Sequence, residues 1–245
     1  MMKLYAEFIP KSTPLQELEV SWNIEQMGLK IPAAYRLVTD GKRVGVEFQR
    51  ITPKQSFARA VSNNPEMMKF YAEAFADECK KLHNTQCSIS KFPDVAEKFK
   101  DTVHQNPNLT DEEKEKVCKF IDNTPKAQTC IHGDLHIGNI ITNGEQNFWI
   151  DLSDFAWGNP IYDLCCYYLM TIIPDELIQR LYHLTKEQMV EMWQIFARKY
   201  FETENIEEIE KQLAPYCCLY MIRFDNRGNM MPWMGDFIRE KLLNT

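Results

Sequence analysis

Ile131-His132-Gly133-Asp134-Leu135-His136-Ile137-Gly138-Asn139, followed further on by Ile150-Asp151-Leu152, is the stretch whose reading decides this chain. It sets down a carboxylate, a carboxamide five residues later, and a second carboxylate after an apolar segment. Between them, Ile140 to Thr142 and Phe148 to Leu152 bracket Asn143-Gly144. That pair is a hairpin signal, because both central turn positions need a left-handed backbone that Asn and Gly tolerate. The hairpin folds the chain back and carries Asp151 toward Asn139. Phosphoryl transfer from a nucleotide uses this group of side chains: one Asp orients the attacking hydroxyl, while an Asn and an Asp hold magnesium on the phosphates.

The chemistry assigns each residue an expected role. Asp134 is placed to accept the proton of a substrate hydroxyl as that oxygen attacks phosphorus, and such a base contributes about 10²–10⁴-fold in rate. Asn139 offers a neutral oxygen and Asp151 a charged one, a donor pair suited to a hard divalent cation that keeps several waters. Taken singly, each would be read as a turn former, since Asp and Asn side chains hydrogen-bond their own backbone in turns. The spacing of the whole set carries the functional reading. His132 is expected to be a hydrogen-bonded scaffold residue rather than a catalyst.

Composition narrows the classes. With 245 residues, 44% of them hydrophobic and 12% aromatic, the chain can bury a large core as one domain or as two lobes sharing an interface. A formal net charge of −7 disfavours a nucleic-acid partner, whose phosphates demand clustered Lys and Arg. The eight cysteines contain no C-x-x-C pair, which argues against zinc or thioredoxin-like chemistry. Cys165-Cys166 and Cys217-Cys218 lie in apolar helical runs and read as packed thiols. There is no apolar signal core at the start and no run of about 18 apolar residues. The expectation is a soluble, reduced, cytoplasmic protein with no membrane partner. Nothing in the sequence specifies an oligomeric state.

Along the chain, Met1 to Phe8 reads as a short strand. Thr13-Pro14-Leu15-Gln16 reads as a helix start, with Thr13 as cap, Pro14 in the first helical position and Gln16 closing a capping box. Leu15, Leu18 and Trp22 recur at helical spacing, and Gly28 ends that helix. Runs from Ala34 to Thr39 and Arg43 to Gln49 flank Asp40-Gly41, another hairpin. From Pro53 onward the pattern turns helical. Pro65 to His83 carries Met68, Tyr71, Phe75, Cys79 and Leu82 on one face, and Thr110 with Glu113 forms a capping box. The prediction is an α+β fold with a small strand-bearing N-terminal lobe over residues 1–52. A larger, mainly helical lobe over residues 53–245 would hold the catalytic loop, the acceptor site and one central hairpin.

The loop from His132 to Asn139 resembles the H-G-D-x-x-x-x-N catalytic loop of the aminoglycoside phosphotransferase and choline kinase family. Asp151 corresponds there to the metal-binding Asp that stands for the first residue of the protein-kinase D-F-G. Trp157-Gly158-Asn159-Pro160-Ile161-Tyr162-Asp163-Leu164 resembles the G-x-P-x-Y-D-L signature that follows. The resemblance implies a protein-kinase-like two-lobed fold, ATP as donor, Mg2+ as the metal, and a small hydroxylated or aminated acceptor. It also implies that Asp163 buttresses the catalytic loop. Gly28-Leu29-Lys30-Ile31-Pro32 resembles the family's link after its first helix, and Lys81-Leu82-His83 its helix ending L-H. Projected back from Gly28, Glu17 falls where the family's helix Glu stands, and Lys3 where its phosphate-gripping strand Lys stands. The alternative for this pair is a solvated terminal lysine and an exposed helix charge.

One part of the family pattern is missing from this sequence. The family carries a glycine-bearing hairpin ahead of the Lys strand, whereas here only Met1 and Met2 precede Lys3 and no Gly occurs before Gly28. Close approach of backbone N–H groups to phosphate is what glycine permits there. A late start relative to the gene product, replaced strands, or a degenerate kinase each account for it, and the intact loop favours the first.

The hinge between lobes is expected near Val46 to Arg50, where backbone would meet an adenine ring; the same segment also reads as a plain hairpin strand. Tyr216, Tyr220, Met221, Met230, Met231, Trp233 and Met234 read as helix-packing core, with an acceptor-pocket lining as the alternative. A metallophosphoesterase reading of Asp134-Leu135-His136 lacks the further His and Asp ligands that two-metal hydrolysis needs. The sequence therefore points to an ATP-dependent phosphotransferase acting on a small-molecule hydroxyl, such as an aminoglycoside, choline or a sugar. The alternative is a catalytically weak or inactive pseudokinase.

Overall fold

In a computed structural model that describes residues 1–243, the chain forms a small strand-rich lobe and a larger helical one, the α+β organisation expected. Strand β1 (Met2–Leu4), helix α1 (Ser12–Gln26), β2 (Ala34–Thr39) and β3 (Val44–Phe48) build the first. β3 lies between β1 and β2 and runs antiparallel to both, with Lys3 opposite Val46. The turn at Asp40-Gly41 is held by the Asp40 carboxylate, which accepts from the Lys42 and Arg43 N–H groups at 3.0 and 2.8 Å. Gly45 makes the close pairing with β1 feasible, since a Cβ there would lie 1.9 Å from the Lys3 carbonyl oxygen. Buried Leu18, Ala34 and Val46, with Phe48 against them, pin α1 to the sheet.

The N-terminal elements differ from expectation in two respects. β1 stops at Leu4, although the Tyr5 N–H still pairs with the Val44 carbonyl at 3.0 Å. Helix α1 begins at Ser12 with Lys11 before it, and no side chain caps it. The Thr13 N–H instead donates to the Pro10 carbonyl at 3.0 Å, so the preceding turn already supplies the partner that a Thr13 cap would have provided. At the far end the expectation holds: Gly28 follows the helix at φ +82°, its N–H on the Glu25 carbonyl.

The larger lobe runs through β4 (Gln55–Ser56), α2 (Phe57–Asn63), a 3₁₀ turn (Pro65–Met67), α3 (Met68–Asn84), α4 (Val95–His104) and α5 (Asp111–Asp122). It continues with β5 (Thr129–Ile131), β6 (Ile140–Thr142), β7 (Asn147–Trp149), β8 (Ala156–Gly158) and α6 (Ile161–Leu169). Helices α7 (Asp175–Tyr182), α8 (Lys186–Phe201), α9 (Ile206–Asn226) and α10 (Pro232–Ile238) follow, with a π-helical turn over Arg239–Leu243. The α3 stripe packs as read: Met68, Phe75, Cys79 and Leu82 are buried. Thr110 and Glu113 cap α5 reciprocally, at 3.2 and 2.8 Å. Cys165, Cys166 and Cys217 are fully buried free thiols, and burial pushes each of them well above the usual thiol pKa. Tyr220, Met221 and Met234 are buried core residues. Among the described residues, no helix is long and apolar enough to cross a membrane.

The hairpin β6–β7 forms around Asn143-Gly144 with Ile140 opposite Trp149. Two further pairings accompany it. β4 adds to β6, Gln55 opposite Thr142, and β5 pairs with β8, Cys130 opposite Trp157. Strands of two or three residues have no period to read, so only long-range contact reveals them. Together they set the ends of β5, β7 and β8 side by side, which is where the site assembles.

Phe75 is the hub of the large core. It is fully buried, with the rings of Trp149, Tyr167 and Phe196 at 5.8, 5.1 and 5.4 Å. Those contacts tie α3 to β7, α6 and α8. Phe75→Ala is expected to lower stability by about 3–5 kcal/mol in urea denaturation. A loss below about 1 kcal/mol would contradict this packing role.

Candidate active site

The loop that leaves β5 and enters β6 is fastened at its start by one buried carboxylate. Asp163, in the first turn of α6, is wholly buried and accepts the N–H groups of His132 and Gly133 at 2.7 and 2.8 Å. His83, from the last turn of α3, places Nε2 3.1 Å from the same carboxylate and Nδ1 2.8 Å from the Tyr200 hydroxyl. A buried charge persists only where its oxygens are hydrogen-bonded. Here the backbone of the loop supplies two of those bonds. Gly133 has no substitute at this point, because its φ is +81° and a Cβ would lie 2.3 Å from the Asp154 carbonyl oxygen.

His132 is a scaffold residue, as expected. It is fully buried, its Nδ1 accepts the Asp134 N–H at 3.3 Å, and its Nε2 donates to the Ile150 carbonyl at 3.0 Å. That second bond ties the loop to the segment carrying Asp151. Asn139 makes a second tie: its carbonyl accepts the Ile150 N–H at 3.0 Å. Asp151 follows at φ +60°, a left-handed backbone that a non-glycine residue adopts at a cost of about 1–3 kcal/mol. The backbone is thus no longer extended at Asp151, two residues past the end of β7.

Asp134, Asn139 and Asp151 are thus brought together. The Asn139 side-chain nitrogen donates to the Asp134 carbonyl at 2.9 Å and lies 3.3 Å from its Oδ2. This fixes the amide, and its Oδ1 has no protein partner among the described residues. No Lys or Arg forms an ion pair with Asp134 or Asp151 among the described residues. The one basic group at hand is His136, whose Nε2 lies 3.8 Å from Asp134 Oδ2. Burial pushes its pKa down to about 4, against the pull of the Asp134 and Asp151 carboxylates. A neutral imidazole offsets neither carboxylate. The unpartnered amide oxygen of Asn139 and the unpaired carboxylate of Asp151 are ligand types that suit a hard divalent cation such as Mg2+.

Lys3 and Glu17 also meet. Lys3 Nζ lies 2.5 Å from Glu17 Oε1, joining β1 to α1, and the Tyr5 hydroxyl donates to the other Glu17 oxygen. Burial, and then the hydrogen bond to Glu17, push the Tyr5 phenol well above its ordinary pKa. Sequence reading did not single out Tyr5. The available signal was its position two residues after Lys3, which puts both on one face of an extended segment.

Lys3, Glu17 and Asp151 line a cavity of about 230 Å³. Ile31, Phe48, Trp149 and Ile150 supply its apolar wall. Phe48 thus places the segment 46–50 at this cavity, while the Gln49 N–H is taken by the Ala33 carbonyl at 2.7 Å. Asp134 stands outside this wall with its side chain 45% exposed. The five residues singled out from sequence therefore form two groups, and Asp151 belongs to both. Sequence reading also missed Lys98 and Arg223, which hold Asp154 beside Gly133. They lie 56 and 69 positions from Asp154, too far apart for any local pattern to reveal.

Residues 10–196 match the sequence model of the phosphotransferase enzyme family. The fold is similar to that of a choline/ethanolamine kinase family protein from Mesorhizobium loti, with TM-score 0.58 at 16% identity, over 98% of this chain and 77% of that one. It is also similar to the ADP-bound aminoglycoside phosphotransferase APH(2'')-Ib, with TM-score 0.56 at 17% identity, over 94% and 81% of the two chains. Amicoumacin kinase hAmiN, solved with AMP-PNP, Ca2+ and Ami, shares the fold at TM-score 0.54 and 10% identity, over 98% and 78%. Comparison with curated proteins finds no match.

Asp163→Asn replaces an acceptor of two N–H groups with an amide that can satisfy one and presents its own donor to the other. Hydrogen bonds to charged groups are worth about 1.5–3 kcal/mol, so a loss of at least about 3 kcal/mol is expected in urea denaturation. Tyr200→Phe, at the outer end of the chain, should cost about 1 kcal/mol. An Asp163→Asn protein as stable as the parent would refute the clamp. His136 supplies a pH dependence. Its folded pKa near 4 lies below the ordinary 6.5, so the unfolded chain binds more protons between those values. The stability it contributes is complete above about pH 6.5 and is lost as pH falls toward 4. His136→Asn, which can keep an acceptor for the Gly138 N–H, should flatten the fall in Tm across that window. Identical slopes in both proteins would contradict the assignment.

Proposed function

The chain belongs to the phosphotransferase enzyme family, and we propose that it transfers the terminal phosphoryl group of ATP to the hydroxyl of a small molecule. The observation that carries this reading is the convergence of Asp134, Asn139 and Asp151 beside the cavity that also holds the Lys3–Glu17 pair. Two relatives of the same fold were solved with ADP or AMP-PNP, which favours a nucleotide donor.

Each side chain has a role in this scheme. Asp134 accepts the hydroxyl proton as the substrate oxygen bonds to phosphorus. The bond from phosphorus to the bridging oxygen breaks, and its electron pair leaves with ADP. Asn139 and Asp151 would hold Mg2+, which when bound would neutralise charge on the phosphates. Lys3 reaches the phosphates, and Glu17 with Tyr5 fixes where its ammonium stands. The apolar wall of Phe48, Ile31 and Trp149 receives the adenine ring. In this reading residues 1–52 are the nucleotide lobe, and residues 53–245 carry the catalytic loop and the acceptor site.

Two variants test the scheme. Asp134→Ala should lower ATP-dependent phosphoryl transfer by at least about 10²-fold. Its Tm should stay close to the parent, since the side chain is half exposed and the amide of Asn139 keeps the Asp134 backbone carbonyl. Asp151→Asn should abolish the rise in Tm that ATP with Mg2+ gives the parent. Unaltered transfer in Asp134→Ala would remove it from the mechanism. A parent protein that gains stability from ATP and Mg2+ but transfers to no hydroxyl would be a nucleotide-binding module instead.

A further inference from the structure

A second cavity, of about 150 Å³, opens where α4 and α9 meet the catalytic loop. Lys98 on α4, Arg223 on α9 and Arg227 just beyond it supply three cations to its wall, against the single carboxylate of Asp154. That carboxylate is already engaged. Lys98 Nζ lies 3.3 Å from its Oδ1, and Arg223 pairs with its Oδ2. Lys98 and Arg223 are themselves partly desolvated, with side chains 35% and 16% exposed. The Arg227 guanidinium has no hydrogen-bond or ion-pair partner among the described residues. Three cations facing one carboxylate leave the wall net positive, with Lys98 and Arg223 partly buried and Arg227 exposed at its rim. A pocket built for an amine would show the reverse balance. Burial pushes the Lys98 amine below its ordinary pKa despite the opposing pull of Asp154, and the neighbouring Arg223 adds to that push.

The cavity also lies close to the proposed base. Arg223 Nη1 and the Tyr220 hydroxyl both donate to the Gly133 carbonyl at 3.3 Å, and Gly133 lines the cavity. Asp134 is the next residue, with Cα atoms about 3.8 Å apart, and its charge is felt at Arg223. We infer that this cavity receives an anionic group of the acceptor, a carboxylate or a phosphate, held by Lys98, Arg223 and Arg227 while its hydroxyl lies at Asp134. Guanidinium groups suit this task, because their planar fork matches a carboxylate or phosphate edge. The acceptor of this chain is then a hydroxylated anion, and polycationic or quaternary-ammonium acceptors are excluded by charge. That the bound molecule is an acceptor rests on the reading of Asp134 as base; the anion site does not.

Calorimetric titration of the full chain tests it, with glycerate, glycerol and choline as hydroxylated probes and inorganic phosphate and acetate as simple anions. Glycerate should bind at least tenfold more tightly than glycerol or choline, and Arg227→Gln should remove that preference. Because the Arg227 guanidinium has no partner among the described residues, this variant should keep the parent's Tm and its stabilisation by ATP and Mg2+. Phosphate or acetate should compete with glycerate for the cavity, and glycerate binding unmoved by either would overturn the inference. Equal affinity for the three hydroxylated probes, a preference for choline, or a preference that survives Arg227→Gln would overturn the inference. Loss of stabilisation by ATP and Mg2+ in the parent, with Arg227-dependent anion binding intact, would instead sink the phosphotransferase reading alone.

Discussion

The buried carboxylate of Asp163 fixes where every other part of the site can be. It accepts two backbone N–H groups from His132 and Gly133, so the first turn of α6 dictates the path of the loop that follows β5. His83 and Tyr200 complete the set, so α3 and α8 share the same clamp. From that fixed start, Asp134 follows directly and Asn139 is reached in five residues, its amide held on the Asp134 carbonyl. His132 and Asn139 each then grip Ile150, which delivers Asp151 to the loop. Stability and geometry have one origin here. The bonds that satisfy a buried charge are also the bonds that aim the loop.

Charge is distributed around this frame in an ordered way. Among the described residues, Asp134, Asn139 and Asp151 present oxygen atoms with no Lys or Arg paired to them, and burial pushes the His136 pKa well below its ordinary value. Lys3 lines the cavity of about 230 Å³, braced by Glu17 and Tyr5. On the α4–α9 side the balance reverses, and cations outnumber the one carboxylate. An oxygen-rich cluster flanked by a braced ammonium and a basic cavity is an arrangement suited to handling anions on both sides. The proposed reaction brings a triphosphate to one and an anionic acceptor to the other.

Much of this was legible because the relevant signals are local. Asp40-Gly41, Asn143-Gly144 and the Thr110–Glu113 box act through contacts a few residues apart, and each forms as the residues dictate. The grouping of Asp134, Asn139 and Asp151 was readable because a short hairpin folds the chain back between Asn139 and Asp151. The start of α1 was misplaced because Pro10 offers its carbonyl one turn earlier than the Thr13 cap implied. The pairings of β4 with β6 and β5 with β8 span many residues and leave no periodic trace. The Asp154–Arg223–Lys98 cluster is of the same kind. Nothing near Asp154 in the sequence points to the two cations that hold it, and only the fold reveals them.

The most direct measurement is the anomalous signal of Mn2+ in crystals of this protein grown with AMP-PNP, since Mn2+ takes the oxygen ligands that Mg2+ takes. The expected result is a peak bonded to Asn139 Oδ1 and an Asp151 oxygen, with triphosphate oxygens completing its coordination. A triphosphate bound in the Lys3 cavity with its metal away from both side chains would contradict the assignment at its centre.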